Sequence, residues 1–178
     1  GIFTTDAIVG YYAIAEKVVR IITSLFAPFY QTIYPHVVSI VKKPKNEANN
    51  FLKKVFKYSL GISTVVFFIS ISLGEFSFLL VFGEEAKNSI NIFYILSPLI
   101  IILPMAYLFF NVILLSYKLD KYFSKLYVIG GITNLSMIFI LFQFLEKKII
   151  AVSLSLLITE LLIMLLAYIL IKNKGLMD

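Results

Sequence analysis

The chain has 178 residues, of which 60% are hydrophobic and 15% charged, and its mean hydropathy is +0.95. A soluble domain is about half apolar at most, so this composition excludes an ordinary water-soluble fold and indicates a membrane protein. The absence of Cys and the single His exclude disulfides, thiolate metal sites and a His-based metal cluster. The net charge is +6, but the charges lie between apolar runs, so membrane topology explains them better than nucleic-acid binding does.

Apolar stretches long enough to cross a membrane recur along the chain. A hydrocarbon core of roughly 30 Å needs about 20 helical residues. Stretches that qualify predict five transmembrane helices, at residues 12–41, 58–82, 90–117, 122–145 and 149–171. We therefore predict an all-α polytopic transmembrane helical bundle that forms a single unit over residues 1–178. The chain starts with Gly1 in an apolar stretch, without a basic n-region. We expect a fragment of a longer protein, in which residues 1–3 end an earlier span.

The first predicted span carries its polar residues on one face. At about 100° per residue, Glu16, Arg20 and Gln31 fall on the same side of the helix, and Lys17 lies at the edge of that side. Charged residues inside membrane helices usually face the bundle interior. Glu16 and Arg20 could pair four residues apart, or could contact a substrate directly. If Glu16 and Arg20 pair, Lys17 remains unpaired and the patch is net positive, which suits an anionic ligand. Arg can also bind phosphate oxygens with two hydrogen bonds at once.

Prolines and a Gly-Glu pair mark irregular places in the predicted spans. Pro28 and Pro35 are expected to kink the first span, and Pro98 and Pro104 the third. In the second span, the pair at residues 74–75 interrupts the apolar run, so the helix could end before it or continue to residue 82.

Residues 42–57 form a long lysine-rich connection between the first two spans. We predict a basic cytoplasmic loop that touches anionic lipid headgroups, with a short interfacial helix as an option. Further lysines lie at residues 118–125 and 172–174. The other two connections have fewer lysines: Lys87 alone in one, and residues 147–148 in the other. By the positive-inside rule, the long loop, residues 118–125 and the C-terminus are cytoplasmic, and the Asp6 region is outside.

Two later polar residues are candidates for a functional or a structural role. Glu160 lies midway along the last span, where it could pair with a cation or hold a coupling ion. Asn111 shares a face with Ser97 and Tyr107, and such residues often lie between membrane helices; lining a cavity is the alternative. Catalytic motifs, phosphate-binding Gly loops and metal-ligand clusters are absent from the sequence, so neither an enzyme nor a cofactor is expected.

The N-terminal segment Asp6-Ala-Ile-Val-Gly10-Tyr-Tyr-Ala-Ile-Ala-Glu16-Lys17-Val-Val-Arg20 resembles bacterial O-antigen flippases. These form the polysaccharide transporter branch of the multidrug/oligosaccharidyl-lipid/polysaccharide exporter superfamily. The segment resembles the junction between the first two helices of the family's C-terminal half. Further resemblances follow in order at Gln31-Thr-Ile-Tyr-Pro35, Phe82-Gly-Glu-Glu-Ala86, Asn111-Val-Ile-Leu-Leu115 and Thr159-Glu160. The family often has a Gly-rich turn where this chain has Glu146-Lys-Lys-Ile-Ile150.

The resemblance implies the C-terminal lobe of a two-lobe alternating-access flippase in the bacterial inner membrane. Its substrate would be an oligosaccharide linked to undecaprenyl pyrophosphate, and its partners would be membrane lipids and a polysaccharide polymerase. Arg20 and Lys17 would then attract the pyrophosphate and Gln31 would bind sugar. Glu16, Glu160 and Asn111 would have structural or coupling roles.

Three other functions remain open. A related lipid-linked precursor flippase or a multidrug exporter would share the fold. A membrane-embedded polysaccharide polymerase would need charged residues in large outer loops, and the predicted outer loops are short. A membrane scaffold that transports nothing would not need the charged face of the first span.

Overall fold

The computed structural model describes residues 6–84 and 87–177, with side chains from residue 9 onward. The helices, in chain order, are α1 (Asp6–Ser24), α2 (Ala27–Ile40), α3 (Lys45–Phe82), α4 (Lys87–Leu96), α5 (Leu99–Tyr107), α6 (Asp120–Phe144) and α7 (Lys148–Asn173). A π-helical segment, Leu108–Leu114, continues α5 directly. The described residues contain no β-strand. The predicted end of an earlier span at residues 1–3, and positions 85–86 of the outer-loop motif, lie outside the described residues.

Three of the described helices, α3, α6 and α7, are long and apolar enough to cross a membrane. The bent pair formed by α4 and residues 99–114 makes a fourth if it counts as one span. The chain is therefore an all-α membrane protein. Helix α1 carries four charged residues and α2 has only 14 residues, so the first predicted span, at residues 12–41, stays a prediction.

The core of the bundle lies around α5 and the π-helical segment. Nearly every side chain from Leu99 to Leu114 is buried, as expected for a helix that is apolar on all sides. One apolar cluster joins α1 and α4 to the start of α5, and a second joins α2, α7 and the start of α3 to the π-helical segment. Helices α3 and α6 instead expose large apolar side chains such as Phe68 and Phe139. Their outer faces suit lipid.

A break at Leu25 and Phe26 separates α1 from α2. The N–H groups of these residues reach back only three residues, with N···O distances of 3.3 and 3.2 Å. Pro28 lies in the first turn of α2, where its missing N–H costs little, and its ring excludes the Ser24 carbonyl from a continuous helix. The expected kink at this proline is thus a full interruption, whereas Pro35 lies inside α2.

In the predicted loop at residues 42–57, only residues 42–44 lie outside a helix, so the helix there is much longer than the short interfacial helix that the prediction allowed. Helix α3 begins at Lys45, directly after Pro44. Ala48, Leu52 and Val55 are buried on one face of it while the lysines stay exposed, and this amphipathic spacing stabilises a helix despite the high charge. The cytoplasmic position of the segment stays a prediction.

The helix α3 also continues through Gly74 and Glu75 to Phe82. A Cβ atom at Gly74 would lie 3.0 Å from the Phe93 ring of α4. This glycine therefore allows two helices to approach closely and does not end one. The true end is at Gly83, whose φ of 71° requires glycine.

The third predicted span is divided between α4 and α5, which meet at an angle of 47°. Pro98 is at the bend, directly before α5, and the Ser97 hydroxyl donates to the Tyr94 carbonyl at 2.9 Å. Pro104 lies inside α5, and the π-helical segment starts four residues later. Removal of one i→i−4 bond by proline is a physical cause for such a change in helix geometry.

Candidate functional site

Three connected clefts follow the polar face of α1 and α2. The charged cleft, about 390 Å³, is lined by Ala13, Glu16, Lys17, Arg20, Ile21 and Ser24. The hinge cleft, about 230 Å³, lies at the α1–α2 break and shares Arg20 and Ser24 with it. The aromatic cleft, about 310 Å³, is lined by Tyr30, Gln31, Tyr34, Tyr107, Asn111, Val112 and Leu115. Tyr30 and Tyr107 line both the hinge and the aromatic cleft, so the three form one groove.

Glu16 and Arg20 form the ion pair that their spacing predicts. The Arg20 Nε and Nη2 atoms lie 2.8 and 2.6 Å from Glu16 Oε1. The Arg20 side chain is nevertheless 62% exposed, against 26% for Glu16. The pairing therefore satisfies the carboxylate and leaves much of the guanidinium open to a ligand.

Glu160 of α7 lies near this pair but forms no salt bridge with it. Together with Glu16 and Arg20 it lines a small cavity of about 10 Å³, closed by apolar side chains of α1, α5 and α7. The Arg20 charge acts on the Glu160 carboxyl. A space of this size holds one water at most. The structure thus brings together two carboxylates and one guanidinium that are distant in sequence.

Lys17 is exposed on the charged cleft beside Arg20. Among the residues that line the charged cleft itself, Glu16 and Arg20 neutralise each other formally and Lys17 adds one positive charge. Chemically the cleft can attract an anion such as a phosphate group and can hold it through Arg20. Among the described residues, no cluster of His, Asp or Glu could hold a metal ion.

Gln31 and Asn111 lie together in the aromatic cleft, although they come from α2 and the π-helical segment. Gln31 is exposed, and Asn111 is partly buried within reach of the Tyr127 hydroxyl. Sequence reasoning placed Gln31 on the polar face and left Asn111 between helix contact and cavity lining. The cleft position supports the cavity-lining alternative without assigning a role.

Tyr30 is a residue of these clefts that sequence analysis missed. Its ring is 1% exposed and stacks on Tyr107 with the centroids 5.2 Å apart. The spacing of Tyr30 and Tyr34, four residues apart on the span that carries Arg20, was a local signal of an aromatic strip. The stacking on Tyr107 is a tertiary contact, so no local sequence pattern predicts it.

Comparison with known proteins finds a distant similarity to a curated protein. The chain is 24% identical over 178 residues to a curated protein named "Putative O-antigen transporter" from Escherichia coli (strain K12). The match covers 99% of this chain and 42% of that protein, so the chain spans less than half the length of this relative. No family model matches the chain, and no solved structure matches it.

Proposed function

We propose that this chain is part of a flippase that moves a lipid-linked oligosaccharide, an O-antigen repeat unit on undecaprenyl pyrophosphate, across the bacterial inner membrane. It would form one lobe of a two-lobe transporter that alternates access. Five spans, with the C-terminus in the cytoplasm, would build that lobe. Membrane lipids and a polysaccharide polymerase would be its partners.

The observation that carries the proposal is the exposed guanidinium of Arg20 on the face of a largely apolar bundle. A charged side chain in the bilayer centre costs roughly 2.5–3.5 kcal/mol on insertion scales. That cost disfavours contact between this face and lipid tails, so the face borders water, protein or an anionic ligand. Arg20 and Lys17 would hold the pyrophosphate and Gln31 would contact sugar, while the long apolar helices admit the lipid tail.

The test uses the full-length protein in a strain that depends on it for surface polysaccharide. Arg20→Ala should abolish surface polysaccharide while membrane insertion and expression persist, and Lys17→Ala should reduce it. Lys57→Ala is the matched control, because Lys57 is an exposed cation outside the groove. Normal surface polysaccharide in the Arg20→Ala strain contradicts the proposal. Loss of insertion contradicts the binding role and assigns Arg20 to the structure.

A further inference from the structure

The aromatic cleft differs chemically from the charged cleft. The side chains that line it are tyrosines, two amides and aliphatic residues, and none is a Lys, Arg, Asp or Glu. Tyrosine is neutral near pH 7 because its usual pKa is about 10. A cleft with this lining has no charge with which to hold an anion, so it selects a neutral ligand.

Three aromatic rings build a firm wall in this cleft. Tyr30 is buried, stacks on Tyr107 and packs edge-on against Phe29 at 5.4 Å. Tyr34 and Tyr107 are partly exposed toward the cleft. Rings that are fixed in place by packing lose little entropy on binding and offer an apolar face with a polar tip.

Two amides supply the polar groups. The Gln31 side chain makes no hydrogen bond within the described part of the chain. Asn111 also lines this cleft, and its carboxamide offers two N–H donors and an oxygen acceptor. A sugar hydroxyl donates and accepts at the same time, so amides match it in both directions.

We infer that the aromatic cleft binds a neutral sugar ring, against the Tyr107 and Tyr34 rings and between the Gln31 and Asn111 amides. The inference rests on the proposed function. It adds that the sugar and the pyrophosphate of one substrate bind in different clefts. The volume of about 310 Å³ is at the lower end of the roughly 300–1,000 Å³ of ligand sites. Arg20 and Gln31 are at most about 16 Å apart along the helix axis, so one ligand can reach both clefts.

The test measures sugar contact without transport. The full chain is placed in phospholipid nanodiscs, and saturation-transfer NMR is recorded with methyl glucoside and N-acetylglucosamine, which carry neither lipid nor phosphate. We expect saturation transfer to the ring protons. Gln31→Leu and Asn111→Leu should each weaken binding about fivefold, the loss of about one hydrogen bond. Gln143→Leu, the same change at an exposed glutamine outside the groove, should leave it unchanged.

Absence of saturation transfer from the wild-type protein to the sugars, or equal transfer from the Gln31→Leu and Gln143→Leu variants, overturns the inference. Circular dichroism checks that the variants keep their helices, and exposed Gln31 keeps the test valid if Asn111→Leu does not fold. Arg20→Ala should still bind the sugars. Sugar binding with normal transport in Arg20→Ala therefore rejects the proposed role of Arg20 and leaves the sugar site standing.

Discussion

Arg20 lies close to two carboxylates, but it bonds to only one of them. It bonds directly to Glu16 one helical turn away, and its charge acts on partly buried Glu160 across the α1–α7 contact. A partly buried carboxylate without a counter-charge is costly. Arg20 therefore contributes to the stability of the fold, and this contribution can be measured separately from transport.

We predict that Arg20→Ala lowers thermal stability and that adding Glu160→Gln restores part of it. The first change leaves the Glu160 carboxyl without its cation, and the second removes the charge that needs one. The coupling in this double-mutant cycle should be about 1 kcal/mol, measured by thermal unfolding in detergent. The same cycle with Glu75→Gln, an exposed carboxyl on α3, should show no coupling.

Gly130 and Gly131 are neighbours with opposite surroundings. A Cβ atom at Gly130 would lie 3.1 Å from Ile163 Cγ2 of α7, whereas one at Gly131 would meet nothing within 4 Å. We predict that Gly130→Ile destabilises the protein by about 1–3 kcal/mol through overpacking, and that Gly131→Ile has a smaller effect. Equal melting temperatures of the two variants would show that α6 and α7 do not pack through Gly130.

Among the helices, the break between α1 and α2 sets the shape of the groove. We predict that Pro28→Ala straightens the pair, because residue 28 gains an N–H for the Ser24 carbonyl and loses the ring that clashes with it. Spin labels at Val9→Cys and Ser39→Cys, in a chain without native Cys, report the distance between the start of α1 and the end of α2. It should rise toward the value of about 45 Å for a straight helix.

Pro35→Ala is the control, since Pro35 lies inside α2 without a break. It should change the distance less than Pro28→Ala does. An unchanged distance in Pro28→Ala would mean that packing alone holds the break.

The helix α3 is longer than a bilayer requires. Its 38 residues correspond to about 57 Å at 1.5 Å per residue, against roughly 30 Å of hydrocarbon. We predict that Lys54→Cys reacts with a water-soluble maleimide while Phe68→Cys, exposed in the apolar part, does not react. Labelling of both would place the two positions in water.

The sequence predicted helices best where apolar runs are uninterrupted, as in α6 and α7. At residues 42–57 it predicted a loop with at most a short interfacial helix, because the high lysine content hides the fact that the buried face of Ala48, Leu52 and Val55 is continuous with the apolar span that follows. Of the site, it offered the Glu16–Arg20 pair as one of two alternatives, because a pair four residues apart is a local contact. It could not predict that Glu160 lies near Arg20 or that Tyr107 stacks on Tyr30, because tertiary packing makes both contacts.

For the whole molecule, the lysine distribution predicts one orientation. Lys54→Cys, Lys121→Cys and Lys174→Cys should all be labelled from the cytoplasmic side, and Lys147→Cys from the opposite side. Labelling of intact cells with an impermeant reagent, compared with inverted vesicles, measures this. Labelling of residues 54 and 147 from the same side would rule out an odd number of crossings between them.

The π-helical segment has a consequence for sequence change in this protein. A π turn holds an additional residue relative to an α-helix, so removal of Phe110 would let the segment return to α geometry. The deletion would leave two residues instead of three between Tyr107 and Asn111, and so would turn Asn111 relative to Tyr107. The aromatic cleft therefore depends on the number of residues in this turn as well as on their identity, so a deletion there should damage it more than a conservative substitution.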